Sequence, residues 1–316
     1  MRIETGKDYF MEPVIRTENI SKQYKEVKAV DCVSLNVNKG EIYGFLGLNG
    51  AGKTTTIRML LGMIKPSNGQ AYINGRKIDA GQFDIWKQVG YMVEMPYSYP
   101  ELTVRENLEM LASLRGIKDR TAVASVIEKL KLTEYADRKA KNLSLGNGQR
   151  LGLAKALIHS PEILILDEPA NGLDPAGIVE IRELLTTLAA NGSTIFISSH
   201  ILSEVARLAT RIGIIHRGAL IQEADFEELD KSRLRALNIG VKDSGKAMQF
   251  LLKNGYSAEM GNDGVILVSG EKALAKPEEA AELLVKAGFP PYLLKVEEEG
   301  LEKYFLRIIG MEGAKQ

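Results

Sequence analysis

What this sequence lacks already excludes several classes of protein. A single cysteine among 316 residues, Cys32, allows neither an internal disulfide nor a cysteine-rich metal site. No apolar run approaches the roughly 18 residues that cross a bilayer, and residues 1–12 lack the apolar segment of a signal peptide. The 41 Lys and Arg balance the 41 Asp and Glu, which excludes a bulk polycation that binds nucleic acid by charge alone, although not a local basic patch. We therefore expect a soluble intracellular protein.

The composition and element order predict two folded domains. Charged residues make up 26% and hydrophobic residues 45% of the chain, which favours a globular protein over a disordered one. At about 150 residues per domain, the length predicts two domains. Short apolar strands alternate with helix-spaced segments, which predicts a parallel α/β core with helices on both faces, whereas the pattern after Phe226 suggests a small α+β module. The expected divisions are an N-terminal extension (1–12), a main domain (13–228) with a helical subdomain (about 95–160), and an accessory domain (229–316).

A glycine-rich loop lies between a predicted buried strand (residues 41–46) and a predicted helix (54–63). Its sequence, Gly47-Leu48-Asn49-Gly50-Ala51-Gly52-Lys53-Thr54, fits the pattern G-x-x-x-x-G-K-[ST]. Its backbone N–H groups and the helix N-terminus would bind phosphate. Lys53 would reach the β- and γ-phosphates of ATP, and Thr54 would offer its hydroxyl to Mg²⁺. The predicted nucleotide contacts here are Gly47, Asn49, Gly50, Ala51, Gly52, Lys53, Thr54 and Thr55. The strand–helix context disfavours a chance glycine-rich turn.

A second motif ends an almost wholly apolar strand with two acids, Asp167 and Glu168. Buried acids are costly unless they bind a metal or take part in a reaction. Asp167 would hold Mg²⁺, usually through water, and Glu168 would polarise the water that attacks the γ-phosphate. The alternative is an ordinary strand end with solvated acids, which the presence of a phosphate loop in the same chain disfavours.

With both motifs present, the chain resembles the ATP-binding subunit of ABC transporters. Between them, Leu143-Ser144-Leu145-Gly146-Asn147-Gly148-Gln149-Arg150 resembles the LSGGQ signature of that family, with a departure at Leu145, where glycine is usual. The resemblance implies that Ser144, Gly146 and Gln149 bind the ATP held by the opposite subunit. It therefore implies a head-to-tail homodimer that sandwiches two ATP molecules. Ser144 also suits a plain helix N-cap.

Three further matches follow the family order. The segment from Asn171 to Pro175 resembles the D-loop, in which Asp174 would link the two sites. His200 resembles the switch histidine that contacts the γ-phosphate and holds Glu168, and Tyr24 resembles the aromatic residue that stacks on adenine. The alternatives are a structural histidine and a tyrosine that only packs.

The most informative departure is Glu94, because most of the family carries glutamine there. Glu94 can accept a hydrogen bond from a metal-bound water, but its charge should alter Mg²⁺ binding and add repulsion toward the phosphates of ATP. With the segment 95–103 that follows, it is similar to the bacitracin-resistance and lantibiotic-immunity branch, whose members export peptide antibiotics. The resemblance also implies that this loop contacts the membrane subunit.

Together the resemblances imply a P-loop NTPase fold of the ABC cassette type, with a RecA-like mixed sheet, a helical subdomain and a small C-terminal α+β module. They imply an ATP hydrolase that uses ATP and Mg²⁺ to drive export through a separate integral membrane permease. We expect a cytoplasmic location on the inner face of the membrane and no nucleic-acid partner. The ending at residues 300–307 is similar to that of bacterial drug exporter ATPases, with dimerisation, regulation or simple coverage of the cassette as its role.

Several other functions stay open at this point. The chain could serve another ABC-2 exporter, of a drug, lipid or polysaccharide. Soluble ABC ATPases that act on ribosomes usually carry two cassettes, and only one is present here. DNA-repair ATPases of this fold split the cassette with a long coiled coil, but no heptad run separates Lys53 from Ser144. A regulator with a dead site would not need Lys53, Asp167, Glu168 and His200 intact.

Overall fold

The computed structural model describes residues 13–79, 86–94, 97–261 and 264–310. Contacts divide the chain after Phe226 into two compact units. The predicted N-terminal extension lies outside the described residues, as do Met95 and Pro96 of the loop after Glu94. Among the residues that are described, no helix is long and apolar enough to cross a membrane.

The first unit contains two sheets and a group of helices. The elements in chain order are β1 (Ile15–Tyr24), β2 (Val27–Val37), β3 (Ile42–Leu46), α1 (Lys53–Leu60), β4 (Asn68–Ile73), β5 (Arg76–Lys77), β6 (Val89–Met92), α2 (Val104–Leu114), α3 (Ala122–Lys129), α4 (Leu145–Leu157), β7 (Ile163–Asp167), α5 (Pro175–Ala190), β8 (Thr194–Ser199), α6 (Leu202–Val205), β9 (Arg211–His216) and β10 (Ala219–Asp225). The central sheet has the order β10-β9-β3-β8-β7-β6, parallel except for β10. An antiparallel sheet has the order β2-β1-β4-β5. The predicted mixed sheet is therefore confirmed.

The strands β3, β7 and β8 are buried along their whole lengths, as expected for the middle of a covered parallel sheet. On one face Tyr43 stacks on Phe196 at 5.4 Å between ring centroids, within a core that includes α1 and the antiparallel sheet. On the other face a Cβ at Gly44 would lie 2.3 Å from Val205 Cγ1 at the end of α6. Glycine at this position therefore allows α6 to approach the sheet closely.

The helix predicted over residues 54–63 ends too late, and two further helix boundaries have local causes. Helix α4 begins at Leu145, because Ser144 caps it by accepting from Asn147 N at 3.3 Å. Helix α1 ends at Leu60, because the chain turns at Gly62, whose φ of +64° favours glycine. Helix α6 ends at Val205, and the bond from Leu208 N to Val205 O is of the tighter 3₁₀ type.

The second unit is an α+β module. Its elements are α7 (Phe226–Lys231), which spans the division, β11 (Arg235–Gly240), α8 (Ser244–Lys253), β12 (Ser257–Met260), β13 (Ile266–Ser269), α9 (Glu271–Ala275), α10 (Pro277–Lys286), β14 (Leu293–Glu298) and α11 (Leu301–Ile308). The antiparallel sheet has the order β12-β13-β11-β14. Residues four apart on α8 and α10, including Leu251 and Leu284, join alternate residues of β11, Leu237 and Ile239, in one core.

Candidate active site

The glycine-rich loop connects β3 to α1 at the carboxyl edge of the central sheet. Gly50 and Gly52 have φ values of +78° and +110°, in the region that favours glycine. A Cβ on Gly52 would lie 2.5 Å from the carbonyl oxygen of Ala29. Helix α1 starts at the next residue, Lys53, so its free N–H groups lie beside the loop. This backbone can bind an anion.

Lys53 is buried, with 5% of its surface exposed. Its Nζ donates to the carbonyls of Gly47 at 2.7 Å and Leu48 at 3.2 Å, and lies 3.3 Å from Glu168 Oε1. A nucleotide phosphate would compete with these oxygens for the ammonium group. The predicted phosphate lysine therefore lies next to the predicted general base.

Asp167 lies at the end of β7 and is 3% exposed. Thr54 Oγ1 donates to its Oδ2 at 2.7 Å, and the Ser198 hydroxyl donates to its Oδ1. The parallel register pairs Asp167 with Ser198 on β8, which explains the second bond. Hydroxyl and carboxylate oxygens are the donors that Mg²⁺ prefers, with substrate phosphates completing its shell. Thr54 and Asp167 therefore fit the predicted metal, although the described residues hold no group of three or more His, Cys, Asp or Glu suited to one.

Glu168 follows directly, with a φ of +49° that is unusual for glutamate. Its N–H donates to Ser198 O at 3.2 Å and to Ser198 Oγ at 3.1 Å, which holds the backbone in this conformation. His200 Nδ1 lies 2.6 Å and Asn171 Nδ2 lies 3.0 Å from Glu168 Oε2. The carboxylate is thus oriented by donors on several sides, an arrangement that suits a general base.

The remaining predicted residues surround this centre. Gln149 Nε2 donates to the carbonyl of Glu168 at 3.1 Å. Ser144 and Asp174 are the N-caps of α4 and α5, and Asp174 accepts from Gly177 N at 2.9 Å. Tyr24 lies at the end of β1 and is 45% exposed. Lys22 Nζ lies 5.2 Å from the centroid of its ring, and the exposed part of the ring can stack on a base. Gly146 lies at the exposed start of α4, where any side chain would approach Gly172 O at 3.2 Å.

Glu94, the third residue predicted to contact the metal, forms an ion pair with an arginine of α1 in the structure. Glu94, with a φ of +55°, follows β6, and its Oε1 accepts from Arg58 on α1 at 2.7 Å. Among the described residues its carboxylate bonds to Arg58 rather than to the pair of Thr54 and Asp167. The guanidinium offsets the negative charge that the sequence led us to expect near the phosphates.

Glu94 and Arg58 also line a groove of about 580 Å³ between the sheet and the helical subdomain. Its apolar lining includes Tyr91, Met92, Tyr97, Tyr99, Met110 and Leu111. Lys155 Nζ donates to Tyr97 O at 3.0 Å and to Asn107 Oδ1 at 3.2 Å, and burial lowers the pKa of Lys155 to about 8. These bonds join Tyr97 to Lys155 of α4 and Asn107 of α2.

Three contacts in the site were not predicted: those of Ser198, Asn171 and Arg58. Ser198 could have been found as a polar residue near the end of a buried strand beside the strand of Asp167. Asn171 lies in the D-loop segment, but nothing in the sequence indicates that its side chain turns back to Glu168. No local pattern pairs Arg58 with Glu94.

Several known proteins resemble this chain in sequence and in fold. The family model described as "ABC transporter" matches residues 30–171. The bacitracin transport ATP-binding protein BcrA of Bacillus licheniformis is 43% identical over 303 residues, 95% of this chain and 98% of that protein. The lantibiotic transport ATP-binding protein SrtF of Streptococcus pyogenes is 37% identical over 68% of this chain and 92% of its own length. A dimeric ATP-binding cassette in a post-hydrolysis state, bound to ADP and Pi, matches 67% of this chain and 98% of its own with a TM-score of 0.63 and 26% identity.

The phosphate loop, the two strand-end acids and the parallel sheet define a P-loop ATPase. The chain belongs to the ABC transporter family, as an ATP-binding subunit. It is therefore an ATP hydrolase of the transport type, and the resemblance stated from the sequence is confirmed.

Proposed function

We propose that this chain is the ATPase subunit of an exporter of a peptide antibiotic, and that it works with an integral membrane permease on a separate chain. The similarity to the bacitracin transport protein carries this proposal, because it extends over 95% of the chain and so includes the second unit. The Glu94 loop points to the same branch. The protein would lie in the cytoplasm, peripheral to the inner face of the membrane.

The geometry supports a role for each residue in hydrolysis. Lys53 and the loop amides would bind the phosphates, while Thr54 and Asp167 would hold Mg²⁺, which when bound neutralises phosphate charge. Glu168 would accept a proton from the attacking water, because its carboxylate lies beside Lys53. His200 would hold Glu168 in position and contact the γ-phosphate. Glu94, which pairs with Arg58, would turn toward the nucleotide and its Mg²⁺.

The second copy of the chain completes the proposed site. Ser144, Gly146 and Gln149 lie at the N-terminal end of α4, which suits phosphate bound to a facing subunit. Asp174 would help to join the two sites, and Tyr24 would stack on adenine. Two ATP molecules would thus be sandwiched in a homodimer.

The groove beside Glu94 is the proposed docking place of the permease. It is lined by apolar and aromatic side chains together with Arg58, Arg115 and Lys155, so it suits a short helix from a cytoplasmic loop. Movement of that helix would displace Glu94, which lines the groove.

Two experiments test the proposal. A pull-down from detergent-solubilised membranes should recover an integral membrane protein, and recovery of ribosomes or DNA instead would contradict it. A strain that lacks the chain should become more sensitive to a peptide antibiotic such as bacitracin, and the wild-type chain but not Glu168→Gln should restore resistance. Unchanged sensitivity to every envelope-targeting peptide would contradict the substrate class and favour another exporter.

A further inference from the structure

We propose that Leu145 and Asn171 are positioning residues that link the first turn of α4 to Glu168 of the same chain. The inference rests on the proposed function, since that turn is the one expected to bind the nucleotide of a second copy. Here we call residues 144–149 the signature turn and residues 171–173 the D-loop turn. The link consists of one packing contact and three hydrogen bonds.

The packing contact joins Leu145 to Gly172. Leu145 is 60% exposed, yet a Cβ on Gly172 would lie 2.5 Å from both Leu145 Cγ and Leu145 Cδ2. Gly172 also has a φ of +76°, a conformation that favours glycine. The absence of a side chain therefore allows both this backbone conformation and the close contact with Leu145. Glycine, the usual residue of the family at position 145, has no side chain that could make this contact.

The hydrogen bonds join the D-loop turn to Glu168. Asn171, adjacent to Gly172, donates from Nδ2 to Glu168 Oε2 at 3.0 Å and from its backbone N–H to Glu168 O at 3.1 Å. Gln149 Nε2 donates to the same carbonyl at 3.1 Å. A shift of the signature turn therefore moves Gly172 and Asn171 together, and with them the carboxylate of Glu168.

This link matters most after ATP binds. Among the described residues, three donate to the carboxylate of Glu168: Lys53, His200 and Asn171. Once Lys53 turns to a phosphate, His200 and Asn171 still aim the carboxylate at water. A misplacement of about 1 Å can cost on the order of 100-fold in rate. A nucleotide held against the signature turn would thus favour the hydrolytic position of Glu168 in the same chain.

A double-mutant cycle in steady-state ATP hydrolysis tests the link. We expect Leu145→Ala and Asn171→Ala each to lower kcat by about tenfold with little change in KM, because His200 still holds Glu168 in part. Their combination should be no slower than Asn171→Ala alone, since both act through one contact path. Leu145→Met, which can still cover Gly172, should recover most of kcat.

Two controls match these changes in residue type. Leu252→Ala removes an exposed leucine of α8, and Asn191→Ala removes the exposed asparagine at the end of α5, and both should hydrolyse ATP at the wild-type rate. The proposal is overturned if the two losses in kcat multiply, or if Leu145→Ala raises KM and leaves kcat unchanged. ATP-driven dimerisation is measured separately in the Glu168→Gln background. A failure of Glu168→Gln itself to dimerise would count against the proposed homodimer, whereas the outcome of the cycle judges the link.

Discussion

Replacing Thr54 by valine removes one hydroxyl at the junction of the two phosphate motifs and little else. Valine keeps the branched shape of threonine, so the packing of α1 is preserved. The lost bond is the 2.7 Å bond from Thr54 Oγ1 to Asp167 Oδ2, and Asp167 is 3% exposed. Water therefore cannot replace the missing donor easily.

The magnitude follows from the type of bond. A hydrogen bond to a buried charged group is worth about 1.5–3 kcal/mol. Taking about 2 kcal/mol, the melting temperature of a unit of this size should fall by roughly 4–8 °C in the absence of nucleotide. Thr54→Ser keeps the hydroxyl and should melt close to the wild type.

Thermal unfolding followed by circular dichroism measures both consequences. The melting temperature of the wild type should rise more with ATP and Mg²⁺ than with ATP and a chelator, because Thr54 and Asp167 are proposed to hold the metal. Thr54→Val should lose this difference. The reasoning is refuted if Thr54→Val melts with the wild type and gains the full Mg²⁺ effect.

Three further predictions concern charged residues. Hydrogen bonds from Arg307 hold the pKa of Glu299 below its usual value. Glu299→Gln should therefore lower the melting temperature at neutral pH, and the difference between the variant and the wild type should disappear as the pH falls below 4.5. Burial lowers the pKa of Lys155 to about 8, so between pH 8 and pH 10.5 the unfolded chain binds more protons than the folded one. The free energy of unfolding should therefore rise over this pH range, and urea titrations of Lys155→Met should lack that rise. Arg58→Ala should weaken ATP binding about two- to fivefold in a nucleotide fluorescence titration, as expected for a partly exposed pair, and adding Glu94→Gln should restore it.

The centre of the site could be predicted because its motifs are local. The glycine-rich loop is contiguous with its strand and helix, and Asp167 and Glu168 end an apolar strand. Parallel strands bring their carboxyl ends to one edge, which is why His200 after β8 meets Glu168 after β7. Pattern and topology together therefore place these groups.

The rest depended on contacts that no local pattern encodes. Glycines at positions 146 and 148 have low helix propensity, yet α4 includes both, because the Ser144 cap starts the helix before them. The pairs formed by Arg58 with Glu94 and by Asn171 with Glu168 join side chains through tertiary placement. The separate pairing of β2, β1, β4 and β5 likewise depends on long-range register.

The most direct test of the account is the rate of ATP hydrolysis by Glu168→Gln, measured beside its ATP affinity. Turnover should fall by at least about 100-fold, because the general base is lost, while ATP binding should stay within a few-fold of the wild type. Glu162→Gln, at the exposed residue that precedes β7 at its opposite end, should hydrolyse ATP normally. Hydrolysis at the wild-type rate by Glu168→Gln would contradict the mechanism.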